Sequence, residues 1–299
     1  MEPSLTLDLR SALSGNYFLN ASRSFDGSWI ILSSDKDFIR RDGNHTVLFP
    51  PFRFQIHEFN GREWHVPLEI GPSAKRYSRA QSLPKGNWLL VCARVSKNDP
   101  PNADIFDEKG RFVSSLYLGD AIEDVQTTAS GDIWVSYFDE GALGGAGIEQ
   151  SGLVCFDSHG EPTLRLWPEI TEPHTLPPVD DLYALNVCCN GDVWCSYYSD
   201  FPLVKLTGTK WVESWIDFPR KAIRAFAVNG DRLLAIPAYK RTGLLYLCDL
   251  KAKSLVECQI NHADRRPLEF DLVMGRDSTL GFLSIKDPER PVLHQLDFH

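Results

Sequence analysis

Ser130-Gly131-Asp132-Ile133-Trp134-Val135-Ser136-Tyr137-Phe138 and Asn190-Gly191-Asp192-Val193-Trp194-Cys195-Ser196-Tyr197-Tyr198 carry Gly, Asp, Trp, Ser and Tyr in register. Glycine suits a tight turn because it accepts positive φ without a Cβ clash, and the aromatic-rich run after it reads as a strand. Weaker copies are Asp26-Gly27-Ser28-Trp29, Lys85-Gly86-Asn87-Trp88 and Asn229-Gly230-Asp231-Arg232, with a degenerate sixth at Arg276-Asp277-Ser278-Thr279. The turn positions 27, 86, 131, 191, 230 and 277 are 59, 45, 60, 39 and 47 residues apart.

A second unit follows the first. Ile105-Phe106-Asp107-Glu108-Lys109-Gly110-Arg111 matches Cys155-Phe156-Asp157-Ser158-His159-Gly160-Glu161, and looser versions stand at 56–62 and 204–210. Each reads as strand, Asp/Asn-Gly turn, strand. Two hairpins per repeat make a four-stranded antiparallel blade, and six repeats predict an all-β, six-bladed β-propeller occupying 1–299 as one domain.

The expected strands are 16–22, 28–33, 52–58 and 63–69 in the first blade and 77–82, 87–94, 102–106 and 111–117 in the second. They are 122–128, 132–137, 152–156 and 163–167 in the third, 183–188, 192–197, 202–206 and 211–217 in the fourth, and 223–228, 231–237, 243–249 and 254–260 in the fifth. The sixth has only 268–274, 278–284 and 291–297. Leu5-Thr6-Leu7-Asp8-Leu9-Arg10 is expected to supply its outer strand, closing the ring and hiding both sheet edges.

Composition narrows the function classes. With 31 Lys plus Arg against 40 Asp plus Glu, a formal charge of −9, the chain lacks the basic surface that grips nucleic acid. No apolar run approaches the roughly 18 residues of a membrane helix, and the start Met1-Glu2-Pro3-Ser4 carries no secretory pattern. Seven cysteines without scaffold spacing read as free thiols in a reducing, cytoplasmic compartment. The sequons Asn20-Ala21-Ser22 and Asn44-His45-Thr46 carry no weight there.

The Gly-Asp-x-Trp turn-strand and the Phe-Asp-x-x-Gly hairpin make the chain resemble six-bladed propellers of the NHL and SMP-30/gluconolactonase kind, including lyase and lactonase relatives. That resemblance implies the fold over nearly the whole chain. The Glu-Gly-Pro opening of SMP-30 enzymes and a matching set of metal-binding Asn and Asp are missing, as is the Trp-Asp signature of WD40 repeats.

The long connections, Ser34–Pro51, Val95–Pro101, Phe138–Ser151, Pro168–Leu182, Pro237–Thr242 and Asn261–Pro267, all fall on one face of such a propeller, where binding is expected. Inner-strand starts ring the channel mouth there, giving Asn20, Arg79, Glu123, Asp124, Asp181, Arg224, Glu269 and Asp271 as candidate ligand-binding residues. Asp124, Asp181 and Asp271 would hold Ca²⁺ or Mg²⁺ if they converge; otherwise the ring pairs internally and solvates the channel. The histidines show no zinc spacing. His57 and His65 straddle one turn, and Gly141–Gly147 reads as a flexible lid or an ordered top loop. Cys188, Cys189 and Cys195 read as core thiols.

Two functions remain open. The first is a non-catalytic binder, without cofactor, that engages a protein partner through the long-loop face. A basic partner, as an immunity protein has, is one version. The alternative is a metal-assisted lactonase, hydrolase or lyase working in the channel. The sequence leaves the oligomeric state open.

Overall fold

The computed structural model describes residues 1–37, 50–95, 101–240, 242–287 and 290–299. The sequon Asn44-His45-Thr46 and much of the loops Ser34–Pro51 and Val95–Pro101 lie outside the described residues. Strand β1 (Leu5–Asp8) and the single turn α1 (Arg10–Leu13) precede the first blade, which consists of β2 (Tyr17–Arg23), β3 (Trp29–Ser34), β4 (Phe52–Phe59) and β5 (Leu68–Ser73). Blade two has β6 (Arg79–Ser82), β7 (Trp88–Val91), β8 (Ala103–Phe106) and β9 (Phe112–Leu116). Blade three has β10 (Ile122–Thr127), β11 (Ile133–Tyr137), β12 (Leu153–Phe156) and β13 (Pro162–Arg165), with α2 (Asp139–Ala142) between β11 and β12.

Blade four has β14 (Asp181–Val187), β15 (Asp192–Tyr198), β16 (Leu203–Thr207) and β17 (Lys210–Trp215). Blade five has β18 (Ile223–Asn229), β19 (Arg232–Pro237), β20 (Leu244–Asp249) and β21 (Ser254–Gln259). Blade six has β22 (Leu272–Arg276), β23 (Thr279–Ser284) and β24 (Val292–Asp297), and β1 is its outer strand, in the order β1-β24-β23-β22. The six-bladed ring and its closure by the N-terminal strand are thus as the repeats predict.

Turn chemistry explains the regularity. Gly131 and Gly191 hold φ of 97° and 88°, and in the degenerate sixth copy Asp277 takes that place at φ 53°; Asp tolerates the left-handed region better than most residues. In the second hairpin, Asp107 Oδ1 accepts from the amides of Lys109 and Arg111 at 2.9 Å, and Asp157 Oδ1 accepts equivalently from His159 and Glu161. The aspartate thus supplies the hydrogen bonds that fix the turn.

The core is six clusters, one between each pair of neighbouring blades. Side-chain alternation decides which interface each tryptophan fills. Trp134 and Trp194 stand three residues after their turn glycines and pack toward the following blade. Trp29 and Trp88 stand two residues after theirs and pack toward the preceding one. The weaker copies are therefore offset by one residue from the strong pair.

Two strand starts differ from expectation by more than two residues. The fourth strand begins at Leu68 rather than 63, because Pro67 has no N–H for the ladder and Trp64 pairs only as an isolated bridge with Phe59. The last inner strand begins at Leu272 rather than 268. Leu268 and Phe270 are buried as strand-like alternation suggests, but Asn261–Pro267 and Thr242–Glu269 bridges tie this segment to its own loop and blade five. Among the described residues no helix is long and apolar enough to cross a membrane.

Candidate functional site

Four inner strands slip register close to their starts: β2 between Phe18 and Asn20, β10 between Ile122 and Asp124, β14 between Leu182 and Ala184, and β18 between Ile223 and Ala225. Such a bulge leaves one extra residue without a partner and re-aims its side chain. Three of those extra residues, Glu123, Tyr183 and Arg224, line a cavity of about 110 Å³ at the channel mouth, together with Asn20, Arg79 and Asp124. Five of the eight expected residues thus share one cavity.

Its two arginines and two carboxylates form no direct ion pair with one another. The Arg79 guanidinium donates to backbone carbonyls, from Nε and Nη2 to Glu123 O at 3.3 and 3.1 Å and from Nη1 to Ser78 O at 2.9 Å. Asp124 accepts from Val125 N at 2.8 Å and Gln126 Nε2 at 2.9 Å, yet burial pushes its carboxyl above the usual range. Asp181, half-buried at the start of β14, is pushed up to about 7 by burial first, then by the nearby charges of Asp139 and Glu123.

Asp181, Glu269 and Asp271 do not line this cavity. Glu269 bridges to Thr242 and pairs with Lys286 at the surface. Asp271 accepts from Ile285 N at 2.6 Å. Both precede β22, so they lie on a loop instead of an inner strand. Among the described residues no three His, Cys, Asp or Glu side chains stand where they could share a metal ion. Asp124, Asp181 and Asp271 therefore form no such group among the described residues.

The mouth also carries an aromatic cluster that the sequence reading assigned no role. Tyr183 packs against Phe201 at 5.8 Å and edge-on against Tyr239 at 6.5 Å, their hydroxyls 2.9 Å apart, and Tyr198 packs edge-on against Phe201 at 5.5 Å. Tyr198 and Tyr239 are 46% and 76% exposed. Asp200 and Phe201 both hold positive φ, 63° and 53°, a strained choice for a bulky residue that the ring contacts offset. The available signal was aromatics in loops and at strand ends, outside any core periodicity.

Below the mouth the channel is plugged. Gln126 Nε2 donates to Leu185 O and Gly275 O, both at 3.1 Å, and Gln126 Oε1 accepts from Val187 N at 2.9 Å. Asn186 donates to Phe226 O at 2.7 Å and Asp277 O at 3.0 Å, and accepts from Asp277 N at 2.7 Å. Arg276 bonds to Arg23 O at 3.1 Å and to Thr127 O. Bonds from these buried amides and this guanidinium to several blades fix the blades against one another.

Other expectations resolve simply. His57 is buried, bonded to Ser33 and held down to about 4 by burial, whereas His65 sits outside against Glu58 and Asn60. The pair does not meet. Gly141–Gly147 is an ordered loop wrapped on buried Glu149, whose Oε1 accepts from Ala146 and Gly147 amides at 3.2 and 2.9 Å. A Cβ on Gly145 would stand 2.5 Å from Glu149 Cγ, so that close approach requires glycine. None of the seven cysteines is in a disulfide, and Cys189 is exposed rather than in the core.

Comparison with known proteins adds the fold and little chemistry. The YxzG family model matches residues 153–286, less than half of the chain. Kluyveromyces lactis Hsv2 aligns over 94% of this chain and 73% of its own at 13% identity, TM-score 0.54. A streptogramin B lyase aligns over 98% and 97% at 10% identity, TM-score 0.54. Virginiamycin B lyase from Staphylococcus aureus aligns over 97% and 98% at 10% identity, TM-score 0.50. No curated protein matches the chain. These likenesses show the propeller, and propellers host unrelated functions.

Proposed function

We propose that this propeller is a non-catalytic binder that docks a basic protein segment on its long-loop face, over blades four and five. The observation that carries the reading is the partly exposed cluster of Tyr183, Tyr198, Phe201 and Tyr239 beside Glu123 and Asp181. Tyrosines supply rigid contact area at interfaces and attract a cation over their faces. The carboxylates supply the complementary charge, and the net charge of −9 steers a basic partner. Cysteines outside any disulfide fit the reducing compartment proposed for it.

Asp181 gives a pH signature. Its folded-state value of about 7 lies above its ordinary 3.8, so the folded chain keeps a proton that the unfolded chain has released. Its contribution therefore disfavours folding progressively from about pH 4 to about pH 7 and fully above that. Asp181→Asn should melt higher than wild type at pH 8, and the difference should vanish at pH 4, as followed by thermal denaturation. Equal melting at both pH values would show that Asp181 carries no such penalty.

Panning a random peptide library against the whole chain tests the binding. Lys- or Arg-containing peptides should be enriched, should bind at least tenfold more weakly to Tyr239→Ala, and should bind more tightly at pH 8 than at pH 6. Enrichment of acidic peptides, or equal binding to Tyr239→Ala, would overturn the reading.

A further inference from the structure

The face opposite the mouth holds a larger space. A cavity of about 300 Å³ opens between the hairpin turns of blades three and four and is walled by Trp134, Val193, Cys155 and Cys188, with Arg276 contributing from the plug. We propose that this cavity binds a small organic monocarboxylate with an apolar body, its carboxylate seated on Arg276. The volume lies at the small end of ligand sites, and a largely apolar wall with a few polar groups, here Arg276, Asp132, Thr128 and Ser130, is their usual make-up.

Arg276 is the independent observation. It is only 4% exposed, and among the described residues no carboxylate stands within ion-pair distance of it. Its partners are the carbonyl oxygens of Arg23 and Thr127 and, at 3.5 Å, Gln81 Oε1. A guanidinium has five N–H donors, so two remain for partners beyond the protein. The void above, also bordered by Arg276, is about 20 Å³, room for one water. The cavity below has room for a small molecule.

Asp124 and Asp277 lend Arg276 opposite charge only without direct contact, and a carboxylate bound through two parallel N–H bonds would supply charge and geometry in contact with it. Burial lowers the Arg276 value to about 10, so it stays charged at neutral pH. Burial also holds the Cys188 thiol above its ordinary range and pushes Cys155 up to about 11; both are neutral walls.

The acids nearby restrict the ligand. Asp132 accepts from Thr128 Oγ1 and Ser130 Oγ at 3.0 and 2.6 Å, and Asp277 from Cys189 N at 3.1 Å. Their charges would repel a second negative group, which selects a monoanion over a dicarboxylate or a phosphate.

Benzoate, with benzamide as its neutral counterpart and phthalate as a dianion, tests this on the whole chain by tryptophan fluorescence and thermal melts. Benzoate should give a saturable fluorescence change and raise the melting temperature, as binding to the native state requires. Benzamide and phthalate should bind at least tenfold more weakly. Arg276→Gln should abolish the preference for benzoate over benzamide. Because Arg276 also fixes the plug, Ala129→Phe is the second variant: its exposed rim position narrows the entrance while leaving Arg276 in place, and it should also lose benzoate binding. No response to benzoate, equal response to benzamide, or binding that survives Ala129→Phe would overturn the proposal.

Discussion

Deleting Glu2–Arg10 should leave a chain that aggregates at temperatures where the intact ring remains folded. The segment supplies β1, paired Leu5 to Gln295, Thr6 to His294, Leu7 to Leu293 and Asp8 to Val292. Without it β24 becomes an open edge, a ready template for another chain. Leu9 is fully buried in the cluster between blades six and one, with Leu5 and Leu7 packed against it. Leu9→Ala alone should destabilise by about 2–5 kcal/mol, a large share of the roughly 5–15 kcal/mol that holds a typical domain. Light scattering and thermal melts of the deletion and of Leu9→Ala check this. A deletion variant that stays monodisperse with an unchanged melting temperature would show that the ring does not need its N-terminal strand.

The ring was legible because each blade repeats its turn chemistry locally. Gly131, Gly191, Asp107 and Asp157 specify hairpins through their own backbone and side-chain bonds, so a single sequence displays them. The mouth was legible only in part. Asn20, Arg79, Glu123, Asp124 and Arg224 were placed by their position at strand starts, and they line the cavity.

Glu269 and Asp271 were misplaced because Leu268 and Phe270 alternate like a strand, whereas Pro267 and Glu269 bridge to Asn261 and Thr242. Tyr183 was missed because a bulge is one unpaired residue with no compositional signature, and its presence depends on how the neighbouring strand is held. The lower cavity has no local signal at all. It depends on turns from blades three and four meeting beside Arg276, which only long-range packing decides.

Trp134→Ala and Trp194→Ala should each destabilise by about 3–5 kcal/mol, the usual consequence of removing a buried aromatic. Both rings are buried, Trp134 between blades three and four and Trp194 between blades four and five. Their surroundings separate the two outcomes. Trp134 already borders the 300 Å³ cavity, so water can enter the space it vacates, and its loss should fall at the low end. Trp194 stacks on Trp215 with ring centroids 5.6 Å apart and 14° between planes, with Lys205 over its face at 5.0 Å.

Truncation there strands both partners and should fall at the high end. Removing Trp215 as well should then add less than its effect in the wild-type background, by the roughly 0.5–1.5 kcal/mol that an aromatic pair contributes beyond its buried area. Denaturant midpoints for the two single variants and the Trp194/Trp215 pair measure all three quantities. Midpoints that do not move, or a Trp134→Ala loss that exceeds that of Trp194→Ala, would contradict the packing assigned to these two blades.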